Sequence, residues 1–268
     1  LVLQHEDKDG LEASGGVMGI SGFNPLSIVM PKAIDQETND IDMQVAFNDE
    51  KLQVQLGYHL SLFDNHIKSL NWQNPYELRL PSSSGYLDNI GGLSVAPDNQ
   101  AHKVSLSAAY RITPTTRLNG NFSYGLMLQD SSYIGYTVNP LLSVDSPTPR
   151  KDADAEVETL HANLKFITTP IKNVELRSSY TYDERKNNSP TDNYAVIRND
   201  SENQITRLNS QTIRKNPTYG RKKHQFKIDT GYRFLLKNKL NLMAIKLKYS
   251  LLVYLILLFL LCYLVMPP

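Results

Sequence analysis

The fold is decided by the stretch HKVSLSAAYRITPTTRLNGNFSYGLML, which runs from His102 to Leu128. Apolar side chains alternate with polar or small ones before the turn TPTT, and the alternation resumes after it. Successive side chains of a strand point to opposite faces, so each half is predicted to be a strand with one apolar and one polar face. The turn is too short for anything but an antiparallel hairpin. Each arm has roughly 10 residues, about what a tilted strand needs to cross a bilayer.

The same pattern recurs on both sides of this hairpin. Further alternating segments are 41–47 and 52–62, 160–166 and 174–182, and 226–234, while Leu240 could begin an eighth strand. Short turns and long loops follow one another in strict alternation, as in outer-membrane barrels with short periplasmic turns and long extracellular loops. The sequence therefore predicts an all-β fold, an antiparallel up-and-down transmembrane β-barrel segment of about seven strands from a larger barrel.

The alternation also assigns the two faces of the predicted sheet. Phe47, Tyr110 and Phe166 each hold the last apolar position before a short turn, which fits an aromatic girdle at the inner membrane interface. Strands also favour aromatic residues in general. The opposite face is predicted to line the barrel lumen. Its structural lumen-facing residues are Gln53, Gln55, His59, Ser105, Ser107, Asn119, Asn121, His161, Asn163, Lys165, Arg177, Lys227 and Asp229.

Three segments are predicted along the chain. Residues 1–39 show no sustained period and many Gly and Pro, which indicates a loop segment. Residues 40–244 form the partial outer-membrane β-barrel. Residues 245–268 are a hydrophobic tail, whose apolar run Leu251–Met266 allows a membrane helix, a buried strand or out-of-frame translation after a frameshift near 244–248. We favour the frameshift, because strand alternation stops there.

Composition excludes several classes of function. The net charge of +1 gives no basic field that would attract nucleic acid. The single cysteine, Cys262, excludes a disulfide framework, a cysteine-based zinc site and covalent haem attachment through Cys-x-x-Cys-His. No nucleophile–base pair, phosphate loop or metal-spaced cluster stands out. We therefore expect a protein that is not an enzyme, with no catalytic residues, no metal site and no directly bound cofactor.

Four weaker signals each have an ordinary explanation that we prefer. His59 and His161 could approach a haem edge, but fit polar lumen-facing residues better. Asp7-Lys8-Asp9-Gly10 resembles the start of a calcium loop but lacks further ligands, so a solvated turn is favoured. The acidic run Asp145, Asp152, Asp154, Glu156 and Glu158 could hold a hard cation or be a solvated loop. Arg221-Lys222-Lys223-His224 could meet lipopolysaccharide phosphates or simply be solvated.

Several segments, in their order along the chain, resemble the MtrB/PioB family of decahaem-associated outer-membrane proteins. They are PKAID from Pro31 to Asp35, ETN from Glu37 to Asn39, SLFDN from Ser61 to Asn65, SLNWQNP from Ser69 to Pro75, YTYDER from Tyr180 to Arg185 and NPTY from Asn216 to Tyr219. The resemblance runs to about Ala244. The chain is much shorter than that family, so it resembles an internal fragment of about a third of a family barrel.

The resemblance implies a function that the residues alone do not. Family members are large barrels of the bacterial outer membrane that enclose a periplasmic multihaem c-type cytochrome and insulate its haem wire, often towards an extracellular multihaem cytochrome. Haem would then be carried by the partner, with lipid and lipopolysaccharide outside. A polar lumen equally serves a general diffusion porin that passes small solutes. A soluble all-β binding protein with a membrane tail is the third reading.

Overall fold

The computed structural model describes residues 1–21, 24–73, 90–136, 138, 147–195, 213–235 and 238–244. Thirteen strands account for most of them. No helix within these ranges has the length and apolar character of a membrane span. The strands are β1 (Val2–Ser21), β2 (Asn24–Asn48), β3 (Leu52–Asn65), β4 (Ser69–Gln73), β5 (Ile90–Ser94), β6 (Asn99–Thr113), β7 (Thr116–Gln129), β8 (Ala155–Ile171), β9 (Val174–Asn187), β10 (Asn193–Ala195), β11 (Ile213–Lys215), β12 (Arg221–Leu235) and β13 (Asn238–Ala244).

Nine of these strands form one antiparallel meander. Its order is β1-β2-β3-β6-β7-β8-β9-β12-β13, so every strand pairs with the next large strand along the chain. The remaining four form two small hairpins, β4–β5 and β10–β11, inserted in long connections. The predicted all-β up-and-down fold is confirmed, and the suggested eighth strand is β13. The sheet exceeds the predicted seven strands, because β1 extends it on the other side.

The prediction that residues 1–39 form a loop is wrong. β1 pairs with β2 from Val2 opposite Asp42 to Ser21 opposite Asn24, so these residues form a long hairpin. The charged run from Asp7 to Gly10 therefore lies within a strand and forms neither a calcium loop nor a turn. Both faces of this hairpin carry charged or polar side chains, so the period-two signal of a strand with one dry face is missing.

The two ends of the sheet differ in the length of the connections between strands. At the short-turn end, β2–β3, β6–β7 and β8–β9 are joined by two or three residues. At the long-loop end, β3–β6, β7–β8 and β9–β12 are joined by long connections, as the sequence predicted. The connection between β1 and β2 also lies at the long-loop end but is short, so the alternation of loop lengths stops there. β2 begins at Asn24, about 56 Å along the strand from the predicted membrane segment at Ile41.

The sheet is a single layer whose apolar face is open. Residues opposite each other across strands share a face, so the row Leu56, Leu106, Phe122 and Ala162 is apolar throughout. These side chains are not packed: Leu56 is 52% and Leu106 40% exposed. Among the described residues, Met30 is the one buried apolar side chain. A water-soluble protein rarely leaves such a contiguous apolar face uncovered, so this face is suited to lipid.

The long-loop end carries a small packed cluster instead. Trp72 of β4 lies against Gly16 and Met30 of the β1–β2 hairpin: a Cβ at Gly16 would come within 3.2 Å of the indole ring and 2.7 Å of the Met30 methyl. Asn65, at the end of β3, is 2% exposed and its side-chain amide donates to the carbonyl of Ala96 (2.7 Å). The first long loop is therefore held against the sheet.

An internal repeat of 122 residues appears in the strand bounds. β3 (52–65) recurs as β9 (174–187), and β6 (99–113) recurs as β12 (221–235), with the same offset at all four ends. Each pair encloses one inserted hairpin, β4–β5 in the first copy and β10–β11 in the second. The meander thus contains two copies of a strand–hairpin–strand unit.

The hydrophobic tail predicted at 245–268, with its three interpretations, lies outside the described residues. The aromatic girdle remains a prediction that the geometry supports. Tyr110 and Phe166 flank Leu118 in one cross-strand row, and Phe47 lies opposite Val54 in the adjacent row of the same face. Phe47 and Tyr110 are 59% and 45% exposed. An interfacial belt needs such rings at one level and unpacked.

Candidate functional site

The register brings the predicted lumen-facing residues to one face of the sheet. Three cross-strand rows illustrate the grouping: Gln53, Asn119, Lys165 and Lys227; then Gln55, Ser107, Asn121 and Asn163; then His59 with Lys103. Ser105 and His161 lie in the row between the second and third, and Arg177 and Asp229 pair beside the first. That this face lines a lumen stays a prediction.

The centre of the polar face is neutral and shallow. An open groove of about 330 Å³ is lined by small or amide side chains, among them Gln53, Gln55, Ser107 and Asn121. Asn163 donates to the hydroxyl of Thr181 (2.7 Å) on the next strand, which fixes its amide within the sheet. Such a surface offers hydrogen bonds at close approach without a strong field.

The two histidines of this face each face a carboxylate. His59 Nδ1 lies 2.9 Å from Asp42 Oδ1, and His161 Nδ1 lies 2.6 Å from Asp183 Oδ1. Both histidines are therefore hydrogen-bonded on the polar face, and their role as lumen-lining residues stays a prediction. Within the described residues, no group of His, Cys, Asp and Glu is arranged to hold a metal ion.

The charges on β9 and β12 are paired along their own strands. Arg177 forms a salt bridge with Glu175, and Lys227 Nζ lies 3.1 Å from Asp229 Oδ2. The other polar-face cations near the short-turn end, Lys51, Arg111 and Arg117, were missed as site residues by the sequence reading. Alternation alone places Arg111 and Arg117 on the polar face. The register that sets them opposite each other includes a shift between Arg111 and Thr113, which the structure reveals.

The remaining charged motifs lie in or beside the long loops and on the apolar face. Asn188 donates to both Glu156 and Glu158 at 2.7 Å, so these carboxylates bind an amide where the sequence allowed a cation. Asp145 lies outside the described residues. In the basic run of β12, Lys222 pairs with Glu184 (2.9 Å) on the apolar face. His224 of the same face lies 2.8 Å from the hydroxyl of Tyr180.

The same Tyr–His bond occurs in both repeat copies. Tyr58 lies 2.8 Å from His102 Nδ1, and the ring centroids are 6.3 Å apart at 37° in both copies. In both copies the two residues are separated by 44 positions and join the strands that flank a long loop. A tyrosine with an apolar ring and a bonded hydroxyl is suited to a membrane–water interface.

Polar contacts tie the loops to one another. Lys68 pairs with Asp98, and this hydrogen bond holds the pKa of the Asp98 carboxyl below its usual value. Tyr133 in the second long loop contacts Tyr194 in the third, with hydroxyls 3.2 Å apart. Burial, followed by this hydrogen bond, raises the pKa of Tyr133 to about 12. An ion pair therefore closes the first long loop, and a tyrosine pair joins the second and third.

Comparison with known proteins agrees with this geometry. The family described as outer membrane beta-barrel porin, MtrB/PioB, matches residues 1–245. The chain is 25% identical over 240 residues to the outer membrane protein MtrB of Shewanella baltica (strain OS185). That alignment covers 88% of this chain and 30% of the relative, so the chain spans less than a third of that protein's length.

Proposed function

Because the chain belongs to the MtrB/PioB family of outer-membrane β-barrel porins, we propose that it forms part of a sheath around a periplasmic multihaem c-type cytochrome. Its location is the bacterial outer membrane, and its role is porin-like; the soluble reading is therefore wrong. The finer role, holding a cytochrome for electron transfer across the membrane, is the proposal. In it, the protein catalyses no reaction, binds no cofactor directly, and leaves haem to its partner.

The observation that carries the proposal is the neutral polar band across β3, β6, β7 and β8. Gln55, Ser107, Asn121 and Asn163 form one continuous row on the face opposite the exposed apolar side chains. Protein interfaces are wet and hydrogen-bonded, and short side chains allow a second protein surface to approach closely. The long-loop end would face outwards, where an extracellular multihaem cytochrome could dock, and the apolar face would contact lipid and lipopolysaccharide.

The experiment uses liposomes loaded with a redox dye and given an external reductant. The outer-membrane form of the protein, reconstituted with the cytochrome, should support dye reduction, and liposomes lacking either component should not. A charge-neutral solute of similar size, trapped in parallel vesicles, should stay inside when the cytochrome is present. Dye reduction that never depends on the cytochrome would contradict the sheath.

The second candidate is a general diffusion porin, favoured by the same polar face. It predicts that the protein without cytochrome releases trapped small solutes and that adding the cytochrome leaves this release unchanged. A sheath predicts that the cytochrome blocks the release, because it occupies the lumen. Solute release measured before and after cytochrome addition therefore separates the two functions.

A further inference from the structure

Three cations meet at the short-turn end of the polar face without a carboxylate between them. Arg111 of β6 and Arg117 of β7 are direct cross-strand partners. Lys51 stands beside them, since its carbonyl accepts the backbone N–H of Arg111 (2.8 Å). All three side chains are exposed and line one concavity of about 150 Å³. Within the described part of the chain, none of the three forms a salt bridge.

This arrangement is unfavourable for the isolated sheet. Cα atoms of direct cross-strand partners lie about 4.5–5.5 Å apart, and like charges at that spacing destabilise a sheet. Glu50 lines the same concavity but leaves a net charge of two positive units there. By contrast, Arg177 and Lys227 on β9 and β12 are neutralised by Glu175 and Asp229. An anionic ligand would relieve the repulsion that Arg111 and Arg117 impose.

We propose that Lys51, Arg111 and Arg117 form a docking surface for a carboxylate-bearing patch on the protein held against the polar face. This inference rests on the proposed sheath function and names the residues that would bind the cytochrome at its periplasmic end. Planar guanidinium groups bind carboxylates with two parallel hydrogen bonds, which suits paired arginines better than a small monovalent anion does. Lipid headgroups do not fit, because the apolar lipid-suited face is the opposite one.

The neighbouring groove explains how a protein surface would reach the cluster. The concavity shares Gln53, Ala109 and Asn119 with the neutral groove of about 330 Å³. A partner lying along that groove would place its end over the arginines. The neutral groove then allows close contact, and the cations fix the register and speed the encounter.

The test uses the protein assembled in the outer membrane of its host. The double variant Arg111→Gln/Arg117→Gln removes both charges and keeps polar side chains, and Arg111→Lys/Arg117→Lys keeps the charges. The control Arg214→Gln/Lys215→Gln removes two exposed cations from β11 at the long-loop end. Heat-modifiable mobility should show an assembled barrel for every variant, since the Gln changes remove a repulsion.

The measurement is the cytochrome retained by the detergent-solubilised protein across a graded NaCl series. Loss of a charged pair at an interface costs at least tenfold in affinity, so Arg111→Gln/Arg117→Gln should retain about tenfold less cytochrome at physiological salt. The Lys variant should retain an intermediate amount, and the β11 control should match the unchanged protein. Raising the NaCl concentration should reduce the difference in retained cytochrome between the Gln variant and the unchanged protein, because salt screens the charges.

Three results overturn the inference. If the Gln variant retains as much cytochrome as the unchanged protein, the cluster does not dock it, while the sheath survives. If the Gln variant keeps its cytochrome but the ion selectivity of the empty barrel shifts in planar bilayers, the cluster is an anion filter. If the unchanged protein itself retains no multihaem cytochrome, the proposed function fails first, and this docking surface fails with it.

Discussion

The two copies of the strand–hairpin–strand unit agree on one face of the sheet and differ on the other. On the apolar face, both copies keep the Tyr–His bond, Tyr58 with His102 and Tyr180 with His224. On the polar face, four neutral positions of the first copy carry paired charges in the second. They are Gln53, Gln55, Ser105 and Ser107, which correspond to Glu175, Arg177, Lys227 and Asp229. The backbone and the interfacial contacts are therefore repeated, and the polar face has diverged.

This difference teaches which constraint acts on each face. A membrane demands the same things of every strand: apolar side chains at mid-depth and bonded polar groups at the interface. A polar face in contact with a partner must instead match that partner locally, so its charges need not repeat. Comparing the two copies therefore distinguishes residues that the membrane requires from residues that a partner would require.

The largest expected effect follows from placing one charge on each face. Leu106→Arg and its counterpart Ile228→Arg in the second copy should each destabilise the barrel by roughly 2–4 kcal/mol, because they bring a cation to mid-membrane. Ser107→Arg, on the polar face, should be tolerated. Heat-modifiable mobility across a urea series reports assembly. Equal tolerance of Leu106→Arg and Ser107→Arg would show that the assigned faces are wrong.

The next effect compares two asparagines at the ends of equivalent strands. Asn65 and Asn187 each accept the backbone N–H two residues on, at 3.2 and 3.0 Å. Asn65 is also buried and donates to Ala96, so Asn65→Ala should cost about 1–3 kcal/mol, and Asn187→Ala less. Hydrogen exchange should rise in the first long loop for Asn65→Ala. Equal costs at the two sites would mean that burial of Asn65 adds nothing.

A smaller effect is expected at the repeated Tyr–His bond. Tyr58→Phe and Tyr180→Phe each remove one hydrogen bond worth about 1 kcal/mol and keep the ring. The two sites share no partner, so the double variant should show the sum of the single losses. Urea unfolding followed by heat-modifiable mobility measures all three variants. Tyr124→Phe, on the apolar face of β7, is the control, because it removes a hydroxyl from the same face without removing a Tyr–His bond. A loss of stability for Tyr124→Phe as large as that for Tyr58→Phe would show that the Tyr–His hydrogen bond does not stabilise the protein.

The smallest effect is a pH response of the first long loop. The pKa of Asp98 is lowered by Lys68, so its contribution is present above the ordinary value near 3.9 and is lost as pH falls below it through the depressed pKa. The equivalent position in the second copy is Gly220, which cannot titrate. Hydrogen exchange below about pH 4 should therefore rise in the first long loop ahead of the third. A simultaneous rise in both loops would contradict this assignment.

The central hairpins were predicted well from the sequence because each has one apolar face and one polar face. The segment around Leu106 and Phe122 alternates without interruption, and its strands and pairing are as predicted. The β1–β2 hairpin was missed because its residues, such as Glu6 and Lys8, are polar on both faces. The inserted hairpin β10–β11 was missed because three-residue strands carry no measurable period.

The candidate site was predictable only in part, for a related reason. Alternation alone assigned Gln55, Ser107 and Asn163 to one face, since side-chain direction in a strand depends only on position. It did not identify Arg111 and Arg117, because what marks them is the absence of a neutralising neighbour. Whether a cation is paired depends on which residues the register places beside it.

The sequence by itself determined the strand class, the two faces and the short-turn hairpins, because all three follow from local period and turn length. Only the tertiary structure decided which residues are neighbours across strands and loops. It brought Tyr58 to His102, Asn65 to Ala96, and Arg111 to Arg117. Turn length and alternation set the approximate register of each short hairpin. The shift between Arg111 and Thr113, and the contacts that close the long loops, depend on the three-dimensional structure.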